Sequence, residues 1–172
     1  MGLLVCTMLT GNAHARGTYQ DPDAFLAEVF AGEPPPAQAV WLLDERPTRV
    51  QAILGHPYEG LRVRYWLEDG RSAWILDEIG KDRPITTGIV VSRGRIEDIR
   101  VLVFRESRGW EVRRESFRDQ FRGARLDGDD GLDRTIDGIT GATLSVRALK
   151  RQARLALYLH GLVTGDGPKA TP

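Results

Sequence analysis

Leu61-Arg62-Val63-Arg64-Tyr65-Trp66-Leu67-Glu68-Asp69-Gly70-Arg71-Ser72-Ala73-Trp74-Ile75-Leu76 decides the fold class of this chain. Two strand-like runs flank Asp69-Gly70, a dipeptide suited to a two-residue hairpin turn because both central positions there take positive φ. Val63, Tyr65 and Leu67 alternate with Arg62, Arg64 and Trp66, as in a sheet with one wetter face. A second hairpin is expected to join Thr86–Val91 to Arg95–Phe104 around Arg93-Gly94. Val101, Leu102, Val103 and Phe104 are consecutively apolar, which predicts a central strand covered on both faces. Trp66 and Trp74 sit in the first hairpin and read as packing residues.

Helical signals lie on either side. Asp21-Pro22 opens a helix with Phe25, Leu26, Val29 and Phe30 on one face, and Gly32 ends it. Glu33 to Pro36 is a stiff Pro-rich spacer. A second helix starts at Pro47, presents Val50, Ile53 and Leu54, and stops at Gly55. After Arg105 comes a polar loop, Glu106 to Glu111, holding Gly109 and Trp110. A short helix around Arg114–Arg122 sets Phe117 and Phe121 on one face. Asp127 to Arg134 is a Gly/Asp loop. Its acids, Asp127, Asp129, Asp130 and Asp133, lack the closing Glu of a calcium loop and read as solvated. Ser145 to Leu162 is a long helix with Val146, Leu149, Ala153, Ala156 and Leu157 on its buried face. These elements predict a single α+β domain: an antiparallel sheet with helices packed against it. The expected divisions are an N-terminal helical segment over 16–60, the main domain over 61–163 and a flexible tail over 164–172.

Composition narrows the function. A chain of 172 residues, 41% hydrophobic, is long enough for one packed core. Lys plus Arg and Asp plus Glu are equal at 24 each, so no basic excess points to nucleic acid. Cys6 is the single cysteine and His14, His56 and His160 are the only histidines, which leaves no ligand set for a metal. Gly2 to Thr10 is mostly apolar, and Ala13-His14-Ala15 has the small-x-small form of a signal-peptidase site. Residues 1–15 are therefore expected to be a signal peptide, although no Lys or Arg precedes Arg16 as a basic n-region would require. Export to the periplasm, or otherwise outside the cytoplasm, follows from that expectation.

The chemistry is concentrated in Asp137-Gly138-Ile139-Thr140-Gly141-Ala142-Thr143-Leu144-Ser145. The segment is a turn directly ahead of the last helix. Gly141 permits backbone geometry closed to other residues, and Ala142 keeps the approach open. Ser145 is expected as the helix N-cap. Free N–H groups and the positive end of the helix dipole then lie beside the Thr143 hydroxyl, where a phosphate would be stabilised. On spacing alone, a polar loop before a capped helix explains the segment equally well.

The segment resembles the flavinylation motif of the FMN-binding domain family, Asp-x-x-Ser/Thr-Gly-Ala-Thr-x-Ser/Thr. That family includes flavin-carrying components of the sodium-translocating NADH:quinone oxidoreductase and of the Rnf electron-transport complex. Asp137, Thr140, Gly141, Ala142, Thr143 and Ser145 fill every fixed position. The resemblance extends over roughly Ile85 to Leu162. It includes Arg93-Gly94, Glu106-Ser107-Arg108-Gly109-Trp110 and Gln120-Phe121-Arg122-Gly123 in order. The turn departs from the relatives' usual Glu-Thr-Pro-Gly.

The resemblance implies FMN held covalently through a phosphoester on Thr143, installed by a flavin transferase with FAD as donor and a divalent metal. No base stands beside Thr143 in sequence, so Thr143 reads as a modified residue rather than a catalyst. Gly109 and Trp110 are candidate neighbours of the flavin, with Trp110 expected to stack. Lys81, Pro84, Ile85 and Thr86 form a turn that could border it, and Arg105 or Arg108 could pair with phosphate or ring carbonyls, the alternative being ordinary exposed arginines. The implied function is an electron-transfer flavoprotein working between a membrane-bound partner and an exported redox protein. A flavin-dependent reductase with its own small substrate, and a sensory module with a static flavin, are the competing readings.

Overall fold

A computed structural model describes residues 17–128 and 131–165. The predicted signal peptide, Asp129, Asp130 and nearly all of the predicted tail lie outside the described residues. The elements are β1 (Gly17–Thr18), α1 (Pro22–Val29), β2 (Gln38–Trp41), α2 (Arg46–Leu54), β3 (Arg62–Glu68), β4 (Arg71–Ile79), β5 (Pro84–Ser92) and β6 (Arg95–Phe104). There follow a 3₁₀ turn (Trp110–Arg113), α3 (Glu115–Arg118), a second 3₁₀ turn (Asp119–Phe121), the small ribbon β7 (Leu126–Asp127) and β8 (Gly131–Leu132), and α4 (Thr143–Thr164).

Six strands form one antiparallel sheet in the order β1-β6-β5-β4-β3-β2. Both predicted hairpins are present. Asp69 and Gly70 have φ of 48° and 74°, and Arg93 and Gly94 have 52° and 66°, the paired positive values of a type I′ turn. Helices cover both faces, which is why β5 and β6 are so apolar. α1 seals one face with Phe25, Leu26, Val29 and Phe30 on Ala73, Val90 and Leu102. α2 and α4 seal the other, over Val63, Trp74, Leu76, Ile85, Ile89 and Phe104. Trp74 is a packing residue as expected, fully buried and stacked on Tyr65 with ring centroids 5.2 Å apart. Trp66 is partly buried against the α1 cluster.

The N-terminal segment is not purely helical, and this corrects the sequence reading. Gln38–Trp41 pairs with β3 at one edge of the sheet, and Gly17–Thr18 pairs with the end of β6 at the other. A four-residue strand with Val40 as its one buried residue carries too little alternation to be read from sequence. Further along, the single helix expected over Arg114–Arg122 is broken into short turns, although Phe117 and Phe121 do meet edge to face at 5.6 Å.

The two described histidines hold the scaffold together. Near the end of α4, Gly94 N–H donates to Nε2 of buried His160 at 3.3 Å, so the ring proton sits on Nδ1 and is directed at Ser72 Oγ, 2.8 Å away. Trp74 Nε1 donates to the same hydroxyl at 2.8 Å. His56 lies after α2. Its Nδ1 is 2.9 Å from Pro57 O, and its Nε2 is 3.0 Å from the buried Glu78 carboxylate, which also takes Arg151 at 3.1 Å. Two acceptors favour the imidazolium, so the carbonyl of Pro57 and then Glu78 raise the His56 pKa against the opposing effect of burial.

This packing has two measurable consequences. A Cβ at Gly88 of β5 would sit 2.6–2.8 Å from the Phe25 ring, so Gly88→Ala should cost about 2 kcal/mol in urea unfolding by forcing α1 off the sheet. The raised His56 pKa contributes stability that is complete below about pH 6.5 and fades as pH rises through the folded value. The melting-temperature gap between wild type and His56→Ala should therefore be largest at mildly acid pH and narrow on the alkaline side.

Candidate functional site

The turn before α4 is built as its sequence suggests. Ala142 N–H donates to Ile139 O at 2.9 Å, closing a turn in which Gly141 takes a φ of 82°. Ala142 is buried at the junction, and α4 begins at Thr143. Its N-cap position is Ala142, with no side-chain cap, so the expected capping by Ser145 is corrected. Ser145 is the third helical residue. The helix starts two residues earlier than expected because the Gly141 turn already satisfies the Ala142 N–H. The first main-chain bond of α4 runs from Val146 N–H to Ala142 O at 2.9 Å. The N–H groups of Thr143, Leu144 and Ser145 fall before it and point out of the helix end.

Gly109 explains how this end is approached so closely. Its φ is 85°, and an added Cβ would collide with Ser145 Oγ and come within 3.5 Å of the Ala142 Cα. Glycine is thus required twice, for backbone conformation and for space. The loop after β6 lies directly against the first turn of α4. Ser145 is itself buried, yet its hydroxyl makes no hydrogen bond to another described residue and the residue lines a cleft.

That cleft has a volume of ≈ 530 Å³ and is bounded by Lys81, Glu106, Ser107, Arg108 and Gly141 to Ser145. Thr143 is exposed at its wall and also borders a second cleft, beside Val146, Arg147 and Lys150. The wall opposite α4 depends on Glu106. This carboxylate is buried, and its Oε1 accepts the N–H groups of Lys81, Asp82 and Arg83 at 2.5, 2.7 and 2.9 Å. Burial alone would raise its pKa, but the three N–H donors, aided by the Lys81 charge, hold it below the usual carboxylate value. The β4–β5 turn is thereby fixed to the end of β6.

Other predicted site residues fall at varying distances from this cleft. Asp137 and Thr140 belong to the preceding loop, where Asp137 N–H donates to Gln120 Oε1 at 2.7 Å. Trp110 packs against the core outside the cleft lining, with the Arg114 and Arg113 guanidinium groups 5.1 and 5.4 Å from its ring centre. Of the Lys81–Thr86 turn, only Lys81 lines the cleft. Ile85 is buried in the core, and Thr86 binds Asp77 and Arg105. Arg105 donates to Thr86 Oγ1 at 2.9 Å, whereas Arg108 lines the cleft. Neither His56 nor His160 borders it. In the acidic loop, Asp133 is paired with Arg125 and Arg134. Glu106 was visible in sequence only as the first residue of a polar loop; its three donors lie more than twenty positions earlier, and no spacing rule links them.

The fit of this site to a flavin phosphate rests on its donors. Three helix-end N–H groups, Ser145, Lys81 and Arg108 line the same cleft as the exposed Thr143, a set of donors that suits a phosphate monoanion. Replacing Glu106 by Ala should strand three N–H donors and lower stability by about 3 kcal/mol, with faster amide exchange at 81–83. Because the folded pKa is depressed, the contribution of Glu106 is present above about pH 4.3 and is lost as pH falls through the folded value.

Comparison with known proteins bears on the same region. A family model described as "FMN-binding domain" matches residues 80–158, from the turn gripped by Glu106 to the last third of α4. No curated protein and no solved structure matches the chain significantly. Residues 80–158 match the FMN-binding domain family, and it is this match that points to a flavoprotein.

Proposed function

We propose that FMN is joined to Thr143 through a phosphoester and that the chain is an exported electron carrier. The observation that supports this most directly is the exposed Thr143 hydroxyl at the first position of α4, beside N–H groups that no main-chain acceptor takes up. In the transfer, Thr143 Oγ forms a bond to the FMN phosphorus of FAD, the diphosphate bridge breaks, and AMP leaves. The threonine proton would pass to a base on the flavin transferase, because among the described residues no histidine borders the cleft and the Glu106 carboxylate is committed to three N–H donors. Thr143 is then a substrate of maturation rather than a catalyst.

Once attached, the flavin would supply the electron chemistry, and this chain would supply its position and field. Helix-end N–H groups, Lys81 and Arg108 would hold the ester phosphate. Glu106 would keep the facing turn fixed and so limit the paths open to the ribityl chain. An ester to the protein prevents loss of the cofactor outside the cytoplasm, where free flavin is not replenished. Electrons would pass between a membrane-bound partner and an exported redox protein.

Protein produced together with a flavin transferase should carry one added FMN on the tryptic peptide containing Thr143, seen by mass spectrometry. Thr143→Ala should lose all flavin that survives denaturation while melting within a few degrees of wild type. Denaturation-resistant flavin on that variant, or an unmodified Thr143 peptide in the wild type, would overturn the proposal.

A further inference from the structure

β3 and β4 separate before β4 ends. Their pairing runs from Glu68 opposite Arg71 to Tyr65 opposite Trp74 and stops there, while Arg62 to Tyr65 of β3 pair with β2. β4 continues to Ile79 with β5 alone, so among the described residues its positions 75–79 have no strand on their other side. This fork in the sheet holds a cleft of ≈ 700 Å³. Residues 56–60, the loop after α2, form one wall and residues 75–80 the other, with Arg151 of α4 beside them. Gly80 lines this cleft and Lys81, next in the chain, lines the cleft of Thr143, so the fork lies beside the candidate site.

His56 reaches across the fork. Its Nε2 is 3.0 and 3.1 Å from the two oxygens of Glu78, and its Nδ1 is 2.9 Å from Pro57 O on its own loop. Both neighbours are acceptors. A neutral ring has one N–H and one lone pair, so either tautomer sets a lone pair against an oxygen; only the imidazolium donates at both positions. The β4 side of the contact is fixed independently of His56. Glu78 is buried, Arg151 Nη1 binds its Oε1 at 3.1 Å, and that guanidinium lies so close under Gly55 that an added Cβ would meet it at 3.0 Å. The loop side is less constrained: Tyr58 is half-buried against the core, but Pro57, Glu59 and Gly60 are exposed. The other charged or titratable groups lining the cleft are Asp77 of β4, which takes the Thr86 hydroxyl, and Tyr58 and Glu59 of the loop itself. The Pro57 carbonyl and then Glu78 raise the His56 pKa, and burial and the Arg151 charge offset only part of that rise.

We propose that His56 is a proton-operated tie across this fork. Charged, it donates to Pro57 O and Glu78 and draws the loop onto β4. Neutral, it gives up one of the two contacts, the loop leaves its anchored partner, and the cleft with the unpaired edge of β4 opens. The tie is therefore closed in mildly acid solution and released on the alkaline side. It does not require a flavin on Thr143, so its test is separate from that of the ester.

Amide hydrogen exchange of the full chain, corrected for intrinsic rates and followed from about pH 5.5 to about pH 8.5, reads the tie directly. Protection at 58–60 should fall as pH rises, by about tenfold for each pH unit that separates the His56 pKa in the closed loop from that in the open loop. Amides at 85–91 in β5 should keep theirs. The midpoint of the fall should coincide with the titration of the His56 ring followed by NMR. His56→Gln donates in the same way at every pH, so protection at 58–60 should be low throughout and its pH dependence lost; the fold should persist because the side chain is half exposed. Flat protection in the wild type, a ring titration that does not coincide with the fall, or an unchanged pH dependence in His56→Gln would each overturn the proposal.

Discussion

Glu106 Oε1 and the three N–H groups that converge on it are the constraint on which the cleft depends. The β4–β5 turn is polar and exposed, and β6 ends two residues before Glu106. By taking the Lys81, Asp82 and Arg83 N–H groups together, one buried oxygen joins two chain segments that would otherwise diverge. The cost of burying a carboxylate is offset because three backbone dipoles point at a single charge. Gly109 acts three residues further on. Its bare Cα lets the same loop settle on Ser145 and Ala142. The cleft is therefore bounded on one side by a helix end and on the other by a turn that a charge holds in place.

Much of this was legible in the sequence, for identifiable reasons. Asp69-Gly70 and Arg93-Gly94 are local signals: two residues determine a turn, and the flanking alternation sets the register. The apolar run Val101–Phe104 correctly announced a strand covered on both faces, because nothing else explains four consecutive apolar positions in a strand. Gly109 and Gly141 were singled out, and both take positive φ. The features that escaped were those made by distance. Nothing in Gln38–Trp41 distinguishes it from a loop until β3 lies beside it. Ser145 has the composition of an N-cap, but the turn before it closes earlier and makes it a helical residue. Trp110, an aromatic next to a glycine, reads from sequence as a stacking or a packing residue alike, and in the fold it packs against the core.

The two ends of α4 are held by different physics. At its start, exposed donors and cations surround Thr143 and can answer to a bound anion. At its far end, the ring of His160 joins Ser72, Trp74 and Gly94 in a buried hydrogen-bonded set. Midway, the Gln152 amide donates to Leu76 O and Ile85 O, both at 2.9 Å, so the helix is pinned to β4 and β5 as well. A long helix anchored at its middle and far end presents its first turn as a rigid platform, which is what a site made of backbone N–H groups needs.

The stretch that matches the family model is smaller than the stretch that forms the folded unit. Residues 80–158 contain β5, β6 and most of α4, but not β4, which pairs with β5 along its whole length. They also lack α1, without which Val90 and Leu102 would face water. The first half of the chain is thus a prosthesis for the second: it supplies cover and edges, and its obligations there are chiefly of shape and apolarity. Such obligations can be met by many unrelated sequences. Inheritance is accordingly readable where backbone geometry around the threonine is demanding, and becomes silent where any well-fitting hydrophobic lid would serve.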